Sequence, residues 1–280
     1  MKNKKRRTRR CWLFFVAAAL LGVFIWWNNC ALSVWRAEIR ADVEEGMRIL
    51  HLSDLHGAWF GREQGRIVEY AEGFAPDVIV FTGDFIDARH DERAAVGLIE
   101  RLSLIAPVYC VTGNHEELER RAGTGTYERL LEAVEGMENA RFLRGETILL
   151  EGGISLTGAD DIPFAGGMSG YPAYIEGLGE EKAGEFRVLL AHRPEMFDLY
   201  AGAGFDLTLT GHAHGGQIRL PILGGLAAPG QGILPEYDAG LFVYESGEMM
   251  YVSRGLGNSV FPLRIFNRPE MTVIEILPMG

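Results

Sequence analysis

The sequence predicts a mixed α/β domain carried behind one apolar N-terminal helix. Three observations lead there. Short β-like runs alternate with amphipathic segments from Met47 onward, and an uncharged stretch from Cys11 to Trp35 follows a cluster of cations. Asp, Asn and His residues also recur where apolar runs of strand length give way to glycine or polar residues.

The N-terminus comes first. Residues 2–10 hold seven Lys or Arg and no acid, so of the chain's net charge of -11 the remaining residues carry -18. From Cys11 to Trp27 the chain is almost continuously Trp, Leu, Phe, Val, Ala and Ile, which at 1.5 Å per residue spans about 26 Å, close to the hydrocarbon thickness of a bilayer. Residues 11–35 therefore read as a single membrane anchor, with Trp12, Trp26 and Trp27 as interfacial aromatics. The positive-inside rule keeps residues 1–10 cytoplasmic and places the following domain on the extracytoplasmic side of the cell membrane. The alternative is an exported signal: Thr8-Arg9-Arg10 before Cys11-Trp12-Leu13 looks like a twin-arginine signal, although no clear cleavage site follows.

Residues 36–45 are polar and acidic and read as a linker to a domain over 46–280. Its strands are expected at Arg48–Leu52, Val78–Thr82, Val108–Thr112, Phe186–Ala191 and Leu207–Thr210. Helices are expected at Glu63–Gly73, Asp91–Leu102 and Tyr127–Val134. Strand, helix, strand in succession implies a largely parallel sheet. Later runs at Thr147–Leu156, Gly216–Leu220, Leu241–Arg254 and Met271–Leu277 are separated by turn residues, with Ser246-Gly247 suggesting a hairpin. They should add antiparallel strands, giving a mixed sheet or two stacked sheets. Residues 161–184, rich in glycine, read as a long loop or lid. Trp59, Phe60, Phe164, Tyr171 and Tyr174 either line a lipid-facing rim or pack in the core.

The charge balance argues against a nucleic-acid surface, because only the extreme N-terminus is basic. Cys110 is the one cysteine in the body of the chain and reads as a small buried hydrophobe, so any metal must be held by Asp, Asn and His.

Five clusters supply such residues. Asp54 and His56 stand in S-D-L-H-G, two apart, so both project from one face if the preceding strand continues to them. Asp84 follows Phe81-Thr82-Gly83, where glycine lets the chain turn and leaves two carboxylate oxygens free to bridge two cations. Asp87 reads as a cap or a supporting hydrogen-bond partner. Asn114 offers a carbonyl oxygen, and His115 beside it points elsewhere, which suits proton transfer or phosphate contact. His192 ends the Phe186–Ala191 strand, with Pro194 placed to open a helix, and His212 and His214 repeat the two-apart spacing after Thr210. His51 and His90 read as structural, and Arg254 and Arg264 as braces of loops.

This ordered set, D-x-H, G-D-x-x-D, G-N-H-E, A-H and G-H-x-H over Leu50 to Gly216, resembles the calcineurin-like metallophosphoesterase superfamily. The stretches G-H-A-H-G-G-Q-I-R-L-P from Gly211, V-S-R-G-L-G from Val252 and N-R-P-E from Asn267 are similar to its membrane-anchored YkuE/YaeI-like branch. The resemblance implies two mixed β-sheets packed face to face with helices outside, a four-layer sandwich. It makes Asp54, His56 and His214 ligands of one metal and Asn114, His192 and His212 ligands of the other. Asp84 bridges the two, and His115 assists the leaving group. Two divalent ions, with Mn, Fe and Zn all suited to mixed oxygen and nitrogen ligands, would lower the pKa of a bridging water for attack on phosphorus. Ala88-Arg89 after Asp87 departs from the Arg-Gly of the phosphoprotein phosphatase branch, so protein phosphatase activity is not implied. The expected reaction is hydrolysis of a phosphodiester or pyrophosphate. A lipid-linked substrate suits an anchored enzyme, UDP-2,3-diacylglucosamine in lipid A biosynthesis being one case and small soluble phosphomonoesters an alternative.

Overall fold

The computed structural model describes residues 2–162, 166–180, 184–258 and 261–279. The chain opens with one long helix, α1 (Lys2–Cys30), and passes at once into β1 (Ser33–Ala41) and β2 (Met47–Leu52). Then α2 (Gly65–Phe74), β3 (Val78–Thr82), α3 (Arg93–Ser103) and β4 (Val108–Val111) follow in the expected alternation. Two helices, α4 (Asn114–Ala122) and α5 (Thr126–Glu135), lead to β5 (Ala140–Phe142). The second half supplies β6 (Thr147–Leu149), β7 (Ile154–Gly158), α6 (Tyr171–Glu180), β8 (Phe186–Leu190), α7 (Phe197–Gly202) and β9 (Leu207–Thr210). Two small hairpins, β10 (Arg219–Leu220) with β11 (Gly224–Gly225) and β12 (Ala227–Ala228) with β13 (Gly232–Ile233), come next. They precede β14 (Gly240–Val243), β15 (Met249–Val252) and β16 (Glu270–Pro278).

Two six-stranded mixed sheets result, ordered β1-β16-β2-β3-β4-β5 and β14-β15-β9-β8-β7-β6. The strands that bear the site are parallel, β2 to β3 to β4 in one sheet and β8 to β9 in the other, so their C-terminal ends lie along one edge. Their residues are apolar on both faces because both faces are covered. In β3, Val78 and Val80 join the core between the sheets, while Ile79 and Phe81 face α2, α3 and α5. In β8, Val188 and Leu190 enter that same inter-sheet core, and Leu189 packs under α6 and α7 with Tyr171, Ile175 and Tyr200. The layers run helix, sheet, sheet, helix.

Three sequence expectations change. Residues 36–45 are no simple linker: Ser33–Ala41 is an edge strand, paired in parallel with β16 from Ser33 against Glu270 to Ala41 against Pro278. That pairing joins segments more than two hundred residues apart, which no local pattern announces. The 161–184 segment is not all loop, since α6 occupies Tyr171–Glu180 and buries Tyr171, Ile175 and Leu178. The Thr147–Leu156 run is two antiparallel strands, β6 and β7, folded back around Gly152 and Gly153, both of which take positive φ. Of the proposed aromatic rim, Phe60 and Tyr171 are buried and Trp59 is exposed, and Phe164 lies outside the described residues.

The inter-sheet core is the feature most open to direct measurement. Leu190 is fully buried within it, so Leu190→Ala should lower stability by about 2–5 kcal/mol in denaturant unfolding. A change well under 1 kcal/mol would mean that the sheets are not closely packed there.

Candidate metal centre

The site residues sit on the turns that leave β2, β3, β4, β8 and β9. Strand β2 ends at Leu52, so Asp54 and His56 do not share a face along a pleat as expected. Instead the backbone turns: Asp54 (φ 52°), His56 (φ 46°), Asp84 (φ 56°), His212 (φ 65°) and His214 (φ 48°) all occupy the left-handed region. A non-glycine residue there is costly, on the order of 1–3 kcal/mol, and persists only where surrounding contacts enforce it. The contacts are present. The Asp54, His56 and Gly57 N–H groups donate to the carbonyls of Gly83, Asp84 and Phe85, each at 3.0 Å, which zips the two turns together. Gly83, with φ 89°, allows the third turn to close on them, since a Cβ there would lie 2.6 Å from Gly113 N and 2.9 Å from His192 Nδ1.

The side chains converge as two groups that share Asp84. Asp54, His56, Asp84 and His214 form one, and Asp84, His192 and His212 the other, with the ligand-type atoms of each group within 4.8 Å of one another and every residue buried. His56 Nε2 lies 3.2 Å from His214 Nε2 and 3.6 Å from Asp84 Oδ2, and His214 Nε2 lies 3.6 Å from Asp54 Oδ1. In the second group His192 Nε2 is 3.3 Å from Asp84 Oδ2 and 3.1 Å from Asn114 Oδ1. Ligands bound about 2.1 Å from a tetrahedral cation stand roughly 3.4 Å apart, and these separations match that edge. His212 Nε2 is buried without a hydrogen-bond partner, as a donor atom kept for a metal would be. The clustered Asp and His residues suit a two-metal site.

Electrostatics agree with the geometry. Burial pushes the Asp54 carboxyl up to about 6, and the charge of Asp84 adds to this. Burial would also raise Asp84, but the neighbouring His192 holds it well below the usual carboxylate range. For His192 the balance is reversed: burial alone would lower it, and the Asp84 carboxylate lifts it to about 10. Burial drives His56 down to about 4 and lowers His212 and His214 well below the usual range, so these imidazoles are neutral with lone pairs available. Two buried carboxylates beside neutral imidazoles make a pocket that favours cations.

Supporting contacts hold these groups in place. Thr82 O accepts from His192 Nδ1 at 2.7 Å, which directs Nε2 toward the cluster. The backbone N–H of His212 donates to both Asp54 oxygens at 3.1 Å. His115 opens α4; its N–H donates to Asp84 Oδ1 at 2.9 Å and its ring meets His56 edge-on at 4.7 Å, beside the cluster rather than in it. Asp87 stays outside as well, accepting from Arg89 N and His90 Nδ1, while buried His51 bonds Thr82 Oγ1 at 2.9 Å.

Sequence reasoning missed Glu116. Its buried carboxylate accepts from Asp84 N at 2.9 Å, Phe85 N at 2.8 Å, Ile86 N at 3.3 Å and Gly113 N at 2.7 Å, clamping the Asp84 turn to the start of α4. The signal was its place three residues after Gly113, the spacing of a helix-capping glutamate. Arg264 does brace a loop, yet one of its N–H groups also reaches His214 Nδ1 at 3.4 Å, and Asn267 Nδ2 donates to His214 O at 2.7 Å. Neither contact could be read from residues fifty positions away.

The calcineurin-like phosphoesterase family model matches residues 47–216. The chain is 32% identical over 240 residues to the uncharacterized metallophosphoesterase YkuE of Bacillus subtilis, covering 83% of this chain and 79% of that one. It is 30% identical over 237 residues to the phosphodiesterase YaeI of Escherichia coli, covering 82% of each. The crystal structure of TT1561 from Thermus thermophilus aligns with a TM-score of 0.50 at 14% identity over 75% of this chain and 89% of that one, a likeness of fold alone. With a matching family model, relatives of this similarity and the two-sheet fold, the chain belongs to the calcineurin-like phosphoesterase family, whose members hydrolyse phosphate esters with metal ions.

Proposed function

We propose that this protein is a membrane-anchored phosphodiesterase or pyrophosphatase. In this reading Asp54, His56 and His214 hold one divalent ion, Asn114, His192 and His212 the other, and Asp84 both. The observation that carries it is the position of the Asp84 carboxylate, which lies 3.6 Å from His56 Nε2 on one side and 3.3 Å from His192 Nε2 on the other. When bound, two divalent ions polarise phosphoryl oxygens and supply hydroxide at neutral pH, and the mixed donor set suits Mn, Fe or Zn. The chain's own residues do the rest. The left-handed turns and the Glu116 clamp fix the ligand atoms before substrate arrives, and burial excludes bulk water from them. His115, half-exposed beside His56, is placed to pass a proton from its ring N–H to the departing oxygen.

The name of YaeI as a phosphodiesterase supports the diester reading. Cys11–Cys30 is long and apolar enough to cross a membrane, with mean hydropathy 1.9 and little of it buried in the protein. The seven cations before it favour a cytoplasmic N-terminus and an extracytoplasmic domain. That orientation favours a lipid-linked phosphate on the outer side over the cytosolic nucleotide-linked precursor of lipid A.

Purified full-length protein loaded with Mn should hydrolyse bis-p-nitrophenyl phosphate in preference to the mono ester, and chelation should abolish the activity. Preference for the mono ester would overturn the diesterase reading, and hydrolysis of neither with normal metal content would overturn the enzyme. His115→Ala should lose about 10²–10⁴-fold in kcat while keeping its metals, whereas Asp84→Asn should lose metal as well, by elemental analysis. Because His192 carries a proton it must give up in order to ligate, metal uptake should release protons and tighten as pH rises toward about 10. Calorimetry in buffers of different ionisation enthalpy measures this, and uptake with no proton release would remove His192 from the ligand set.

A further inference from the structure

The segments that follow His214 carry apolar side chains where turns are ordinarily polar. In the β10–β11 hairpin Ile222 is fully exposed and Leu223 is 64% exposed, and in the β12–β13 hairpin Ile233 is 79% and Leu234 54% exposed. Ile222 also takes φ 75° and Leu234 φ 54°. A β-branched residue in the left-handed region is strained where Gly or Asn would not be, so neither water nor the turn geometry accounts for an isoleucine at that tip.

Hydrogen bonds and ring contacts link these hairpins to the end of α1. Leu234 N donates to Leu226 O, which ties the two hairpins together, and Arg219 N donates to Ile265 O, which ties the first to the 261–268 segment. There Phe266, 60% exposed, meets Phe24 of α1 edge-on at 5.1 Å, and Arg268 lies over the Trp27 ring at 5.2 Å. An apolar groove of about 210 Å³ between Gln217, Ile218, Leu226 and Phe261 continues the surface to Gly216, beside His214. The helix end itself is held rigidly: Asn29 Oδ1 accepts from Arg264 N at 2.8 Å and Asn28 Oδ1 from Asn267 N at 3.3 Å. Whatever apolar phase covers Phe24 and Trp27 on α1 therefore also meets Phe266, the residue next to the segment that the first hairpin bonds.

We propose that the two hairpins and Phe266 dip into the bilayer surface beside the anchor, seating the His214 side of the metal centre against the lipid headgroups. The proposal rests on the reading of Cys11–Cys30 as a membrane span. Leucine, isoleucine and phenylalanine side chains are the kind that insert at the headgroup and acyl boundary, to a depth of about 5–10 Å, and Arg268 together with Arg66, which bonds Cys30 O at 2.9 Å, would meet phosphate there. A substrate carried in the membrane would then reach the site without leaving the lipid surface.

The test uses the full chain in phosphatidylethanolamine–phosphatidylglycerol vesicles, with Cys11→Ser and Cys30→Ser as background and single nitroxide labels on Ile222→Cys, Ile233→Cys or Phe266→Cys. Phe15→Cys in the span and Leu104→Cys, 85% exposed near the opposite edge of the first sheet, serve as references. Collision with lipid-soluble oxygen relative to a water-soluble nickel complex should be several-fold higher at 222 and 233 than at 104, approaching the value at 15. Labels at 222 and 233 that behave like 104 while 15 lies in lipid would overturn the proposal and leave the anchor standing. Shielding of 222 and 233 from both reagents would assign the surface to a second protein copy and overturn it equally, and a water-like value at 15 would overturn the anchor and the proposal together. None of these readouts depends on metal or on hydrolysis, so the proposed chemistry stands or falls separately.

Discussion

Two carboxylates, Asp54 and Asp84, are buried between the edges of two β-sheets, and much of the structure can be understood as managing that placement. Burying a carboxylate away from water is costly unless cations or directed N–H groups meet it. Here the His192 ring faces Asp84, two backbone N–H groups from the His115 and His212 turns reach the carboxylates, and neutral imidazoles complete the ring. The strained turns at Asp54, His56, Asp84, His212 and His214 are tolerated because this packing leaves the backbone no easier course.

The sheets make that arrangement possible. Asp54, Asp84 and Asn114 come from one sheet and His192, His212 and His214 from the other, so the site exists only when the two are packed together. The contact is specific as well as apolar: His192 Nδ1 bonds Thr82 O at the end of β3, and Leu190, just before it, sits in the shared core. Glu116 performs the same task within the first sheet by holding the Asp84 turn to α4. Loss of inter-sheet packing would therefore be felt as a change in the geometry of the Asp and His cluster as well as in stability.

The apolar helix is integrated into the domain instead of hanging from a flexible tether. Its last turn bonds the 264–267 segment, β1 begins three residues after it, and Ser33 Oγ donates to Pro269 O at 2.8 Å. Arg264 and Asn267 touch both the end of the helix and His214, so the orientation of the helix and the position of a candidate ligand share the same hydrogen bonds.

The sequence by itself determined the chemistry and the central strands. Glycine-punctuated Asp, Asn and His after apolar runs mark strand ends through local side-chain and backbone preferences, and local signals survive without a fold. Asp54, His56, Asn114, His192, His212 and His214 could be read as candidates for that reason, as could β2, β3, β8 and β9. Tertiary structure alone decided that the two-apart pairs converge by left-handed turns rather than along a pleat, that Glu116 clamps the Asp84 turn, and that residues 33–41 complete a sheet with β16. Each of these depends on partners brought together from distant parts of the chain, such as Ser33 with Glu270 or His214 with Arg264, and such pairings are set by which surfaces can be buried together.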